Sequence, residues 1–159
     1  MTTIAFRDGS IAADSLVSDG ANTSHAYATK IRKVKGHLLG ACGELTACNA
    51  FLLKYDPKAI EDERYVPIHP NAGHKDNDDF EGIVVTPKGK IFIVSSSGVF
   101  APVRSFGYIA IGSGAEVALG AMYAGADART AIKAAIKHSF GTGGTIRTLS
   151  LDKKKKERS

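Results

Sequence analysis

The chain opens Met1-Thr2-Thr3-Ile4 and runs straight into an apolar, strand-like segment. Thr2 is small, so removal of Met1 is expected, leaving threonine as the first residue. An N-terminal threonine holds a hydroxyl nucleophile and an amine base in one residue. A free α-amine has a pKa of ~7.7–8.0, so a useful fraction is neutral near physiological pH. It can accept the hydroxyl proton directly or through one water. Many chains begin Met-Thr, so the start gains meaning only from what the rest of the chain supplies.

Other residues with chemical potential stand at the ends of apolar runs. Asp14 and Ser15 end one such run, Lys30 opens another, Gly43 lies where a strand gives way to a helix, and Ser113 follows Ile111-Gly112. Taken singly, each has a plain structural reading: a turn aspartate, an edge-strand lysine, a helix-entry glycine, a helix N-cap. Cys42 and Cys48 read as reduced core residues, since two cysteines in an apolar, helix-prone stretch match neither a disulfide framework nor a metal pattern. His69, His74, Asp76 and Asp78 share one polar stretch, but their spacing fits no zinc pattern.

The elements that must position these residues can be read coarsely. Thr2 to Phe6 and Ser10 to Asp14, joined around Asp8-Gly9, form a β-hairpin. Residues 15–29 are polar and loop-like. Lys30 to Lys35 and His37 to Cys42 make a second strand pair around Gly36. Leu45, Cys48 and Leu52 have helical spacing over Glu44 to Tyr55, and Pro57 stops that helix. Residues 56–81 hold three of the five prolines and half of the acidic residues, and read as a long surface loop. Gly82 to Thr86 and Lys90 to Ser95 form a further hairpin, and Gly107 to Ile111 a short strand. Glu116 to Ala124 is helical, Gly125 ends it, and Asp127 caps a second helix whose face carries Ile132, Ala135, Ile136 and Ser139. Thr145 to Leu151 is the last strand. Hairpins dominate, so mostly antiparallel sheets with helices outside are expected.

With 159 residues, 43% of them hydrophobic, the chain suits one domain over 1–151 with a sizeable core. The tail 152–159 carries +3 of the net +5 and reads as a solvated end. No aromatics interleave with its lysines, so nucleic acid is not an expected partner. No apolar run reaches the ~18 residues of a membrane span and no targeting segment stands out, so no membrane and a cytoplasmic location are expected.

Thr-Thr-Ile at the start, Ala12-Ala13-Asp14-Ser15, Lys30-Ile31-Arg32-Lys33, Gly40-Ala41-Cys42-Gly43 before a helix, Ile111-Gly112-Ser113-Gly114 after a strand, and Thr142-Gly143-Gly144 follow in that order. This ordered set resembles the proteasome β-subunit family, including the bacterial HslV-type peptidase, over residues 2–55 and 82–151. The resemblance implies an α+β fold, a four-layer αββα sandwich of two mostly antiparallel sheets, and an N-terminal-nucleophile hydrolase. It implies Thr2 as the nucleophile of an acyl-enzyme mechanism and Lys30 as the cation beside it. Asp14 is then the lysine's partner, Gly43 the oxyanion donor, and Ser113 the serine near the threonine amine. Ser139 and Thr142 occupy the family's aspartate and serine positions. By the same correspondence Val17, Ser18, Ala28 and Leu45 line the substrate pocket, which points to small or apolar side chains.

The pattern departs from the family in three places. Ser139 stands where the family has aspartate and supplies no charge. The Thr2–Asp14 hairpin is shorter than usual. The 56–81 loop replaces a helix that normally pairs with the first, giving a minimal version of the fold. No cofactor is implied. A peptide or protein substrate is the implied partner; the missing helix face contributes to ring assembly in the family, so a homo-oligomer is not carried over and stays open, and a closed chamber would need a separate AAA+ unfoldase. Two other readings stay open: a small-amide hydrolase of the same superfamily, and a non-catalytic or weakly catalytic subunit that binds or regulates related proteases.

Overall fold

The computed structural model describes residues 1–18, 23–61, 80–95, 100–104 and 107–153. Strands β1 (Thr3–Arg7) and β2 (Ser10–Ala13) form the first hairpin. Asp8 and Gly9 both have positive φ, 48° and 78°, the conformation a two-residue turn needs to match strand twist. The same device closes β5 (Ile31–Val34) and β6 (His37–Gly43) at Lys35-Gly36, with φ of 46° and 80°.

One sheet has the order β10-β1-β2-β11, with β10 at Tyr108–Gly112 and β11 at Arg147–Ser150. The other runs β5-β6-β7-β8-β9, with β7 at Phe80–Val85, β8 at Ile91–Ser95 and β9 at Phe100–Val103. The pairings in both are antiparallel.

Strand alternation sorts the side chains into layers. Ile4, Phe6 and Ile11 of the first sheet meet Ile31, Leu38, Ile83 and Val85 of the second in the central core. On the outer face of the first sheet, Ala5 and Ala12 leave room for α3 (Ala115–Tyr123) and α4 (Ala128–His138), which bring Ala118, Met122, Ala131 and Ile132. On the outer face of the second, Leu39, Ala41, Val84 and Val94 pack against Cys48, Phe51 and Leu52 of α1 (Leu45–Lys54). The result is the four-layer αββα sandwich.

Helix α1 starts where Glu44 accepts N–H bonds from Thr46 and Ala47, and α4 where Asp127 accepts one from Thr130 at 2.7 Å. The expected helices and most expected strands fall within a residue or two of these bounds.

Three expectations need correction. Residues 15–29 are not all loop: β3 (Leu16–Ser18) and β4 (Thr23–Tyr27) pair as a small two-stranded sheet. Their shift in register between Val17 and Ser18 breaks the alternation that would have marked them. Strand β9 is not among the expected strands; it carries Pro102 at the sheet edge, where a missing N–H is tolerated. The 56–81 segment contains a one-turn helix, α2 (Lys58–Glu61), with Ile60 buried, and its last two residues belong to β7. The remainder of that loop, with His69, His74, Asp76 and Asp78, lies outside the described residues, as does 154–159 of the tail.

Candidate active site

Thr2 precedes β1 and is held by the strands on either side. Thr3 N–H donates to Asp14 Oδ1 at 3.0 Å, and Asp14 N–H returns to Thr3 O at 3.3 Å. On the other flank Ser113 N–H donates to Thr2 O at 2.8 Å, with its hydroxyl at 3.3 Å from the same oxygen. Gly112 makes this approach possible, since a Cβ there would meet Thr2 O at 2.1 Å. Thr2 itself is buried.

Asp14 and Lys30 form the buried ion pair among the described residues. Lys30 Nζ donates to Asp14 Oδ1 at 2.9 Å, and the side chains are only 7% and 0% exposed. The other carboxylate oxygen of Asp14 accepts Gly143 N–H at 3.0 Å. The carboxylate therefore receives one ammonium and two backbone donors, which keeps a buried charge satisfied. Lys30 Nζ also donates to Leu16 O at 2.6 Å and to Met1 O at 3.4 Å. Its three protons thus have three acceptors, one of them on the peptide bond that precedes Thr2. Desolvation pulls the Lys30 pKa below its ordinary 10.5, and the charge and hydrogen bond of Asp14 offset part of that shift.

The segment around Thr142 braces this pair. Gly143 O accepts the N–H groups of Ser15 and Leu16 at 3.1 and 3.0 Å. Thr142 is buried, and its hydroxyl lies 2.8 Å from that of Thr3. Met1 runs along the edge of the site: its amine donates to Ser18 O and Oγ at 2.9 and 3.0 Å, and its side chain lies against Gly141.

A pocket of about 270 Å³ opens beside Thr2. Its walls include Val17, Ser18, Ala28 and Leu45, the four residues expected to bind substrate, together with Lys30 and Gly43. Gly43 ends β6 with φ of 113°, a conformation that favours glycine, immediately before the α1 N-cap. The start of α1 carries a partial positive charge, which the Glu44 carboxylate capping the Thr46 and Ala47 N–H groups offsets. A larger hollow of about 680 Å³ lies by the Asp8-Gly9 turn, at the other end of β1. It is lined by Phe6, Ile91 and Val103 among others, with no hydroxyl, thiol or imidazole side chain, so the chemistry belongs to the smaller pocket.

Thr2, Asp14, Lys30, Gly43 and Ser113 lie together; the Ser113 hydroxyl meets the Thr2 carbonyl oxygen, whereas its expected place is near the amine. Thr142 joins through Thr3. Ser139 takes the C-cap of α4, its N–H donating to Ala135 O at 2.8 Å, and is not among the pocket residues. Sequence reasoning passed over the Leu16 carbonyl, Thr3, the Gly143 N–H and Glu44. The first three act through backbone atoms or neutral hydroxyls, which leave no mark in residue type.

No known family model and no curated protein matches the chain. Solved structures do. HslV from Trypanosoma brucei superposes with a TM-score of 0.66 at 18% identity, covering 94% of this chain and 98% of its own. Thiobacillus denitrificans BPH in complex with epoxomicin gives a TM-score of 0.65 at 21% identity, over 96% of this chain and 99% of that one. The same BPH in a second structure gives 0.60 at 21%, over 95% and 98%. These likenesses establish a shared fold.

Proposed function

We propose that the chain is a threonine-type peptidase whose nucleophile is Thr2, exposed by removal of Met1. The observation that carries this reading is the Lys30 ammonium. It is anchored on Asp14 and Leu16 O, and its third proton points at the carbonyl of Met1. Once Met1 is gone, that proton loses its acceptor and is free to face the amine and hydroxyl of Thr2. A cation there favours the alkoxide over the hydroxyl.

The reaction then follows. The Thr2 amine, or a water bound to it, takes the hydroxyl proton while Oγ1 attacks the peptide carbonyl. The carbonyl oxygen takes up negative charge against the Gly43 N–H. The C–N bond breaks as the proton passes to the leaving amine, giving an ester on Thr2. Water, activated by the same amine, hydrolyses that ester and restores the hydroxyl. Every group used is a side chain or backbone group of this chain, so the mechanism calls for no cofactor.

HslV and BPH share the fold over nearly the full length of this chain. That likeness supports a homo-oligomer as the working form, with an AAA+ unfoldase, a separate chain, delivering protein substrates. No helix among the described residues is long and apolar enough to cross a membrane.

The test is hydrolysis of fluorogenic peptide amides by the chain starting at Thr2, run beside Thr2→Ala and the chain retaining Met1. Turnover by the first alone supports the reading. Equal turnover by all three assigns the activity to another site.

A further inference from the structure

We propose that Glu44 makes the pocket beside Thr2 select substrates with a basic side chain immediately before the bond that is cut. This inference rests on the hydrolase reading above and names its substrate class. Val17, Ala28 and Leu45 give the pocket apolar walls, which suit the aliphatic stem of lysine or arginine as well as a plain apolar side chain. Charge decides between them. Glu44 is the acidic residue of the pocket wall and Lys30 the basic one. Lys30 is already neutralised by Asp14 at 2.9 Å, so the uncompensated side-chain charge is that of Glu44.

That charge is fixed in place. The Glu44 carboxylate accepts N–H bonds from Thr46 at 3.0 Å and Ala47 at 2.8 Å, and also the Thr46 hydroxyl. These bonds hold the carboxyl below the usual range, the Thr46 hydroxyl having the largest effect, so it is ionised at neutral pH. They also tether it to the first turn of α1, next to Gly43. An oxyanion forming at Gly43 therefore has a second negative charge nearby. A cationic substrate side chain offsets that charge, and an acidic one compounds it.

The experiment uses the full chain beginning at Thr2 and three fluorogenic tripeptide amides that differ only in their last residue: lysine, leucine or glutamate. The expected ratio of kcat/KM for lysine over glutamate is on the order of tenfold, as for one exposed charge meeting opposite and like partners. Glu44→Gln, which retains an oxygen for the helix cap, brings the ratio close to one. In the parent chain the ratio also shrinks between ~0.01 and ~1 M salt, as the screening length contracts from ~30 to ~3 Å. A parent ratio of one or less overturns the proposal, as does a ratio unchanged by Glu44→Gln. A peptide epoxyketone separates this failure from failure of the hydrolase reading. An adduct on Thr2 without basic preference defeats the proposal alone; no adduct and no turnover of any peptide defeats both.

Discussion

On the side of Thr2 that faces Lys30, an ammonium, a carboxylate and the backbone of Thr3, Leu16 and Gly143 close a buried network. On the side of Ser18 and Ser113, the described contacts are neutral oxygens and one N–H: Ser18 O and Oγ to the N-terminal amine, and Ser113 N–H and Oγ to Thr2 O. The first side is charged and shut off from water, and it draws on four separate stretches of chain. The second is uncharged and draws on two. The Lys30–Asp14 side is thus tied to the stability of the whole sandwich, whereas the Ser113 contact that holds the Thr2 carbonyl is a local matter. Mutations on the two sides should differ in kind as well as in size.

Thr2→Ala removes the nucleophile itself and should lower kcat/KM by on the order of 10⁴-fold or more, with thermal unfolding little changed. On the charged side, Asp14→Ala should cost about 3–5 kcal/mol in denaturant unfolding, because it strands the Lys30 ammonium in the interior. The double variant Asp14→Asn with Lys30→Met should recover much of that stability, since no charge is left buried, yet remain inactive. Recovery of activity with stability would mean that the pair is only structural.

Lys30 also makes a pH prediction. Its folded pKa lies below 10.5, the value it regains on unfolding. Between those two values the unfolded chain binds more protons than the folded one, so unfolding free energy rises with pH across that window. Subtracting the profile of Lys30→Met should isolate the rise; a difference that falls with pH there contradicts the assignment. On the uncharged side the effects are smaller. Ser113→Ala should lower kcat/KM a few-fold with little change in stability, its N–H remaining to hold Thr2 O. Ser139→Asp should leave kcat/KM within a few-fold, since Ser139 caps α4 outside the pocket, while lowering stability by about 0.3–1 kcal/mol, because it puts a negative charge at the C-terminal end of α4. If Ser139→Asp outweighs the loss in Asp14→Ala, the contrast between the two sides is wrong.

What could be read from the sequence divides along similar lines. The Asp8-Gly9 turn and the alternation Ile4-Ala5-Phe6 specify the first hairpin locally, and the structure pairs Ile4 with Ala13 and Arg7 with Ser10 accordingly. Pro57 and the spacing of Leu45, Cys48 and Leu52 mark α1 equally well. Strands β3 and β4 escaped because their polar residues and shifted register carry no period-two signal. At the site, Asp14 and Lys30 were legible only as members of an ordered set of motifs; nothing in the spacing of 14 and 30 requires a 2.9 Å contact. The brace from Gly143 N–H to Asp14 was not legible at all, since it joins positions 129 residues apart through a backbone group any non-proline residue could supply. Glu44 was read as the start of a helix, and only the folded chain brings that cap to the wall of the pocket.

As proposed above, Thr2, once first in the chain, is a nucleophile with a free amine at its side. A peptide epoxyketone reports both groups together, because its warhead closes a ring using the hydroxyl and the amine of one N-terminal threonine. Intact-mass measurement of the chain starting at Thr2 should show one inhibitor bound, mapped to Thr2 and absent in Thr2→Ala. An unmodified mass for the chain with Thr2 first and correctly folded would contradict the account.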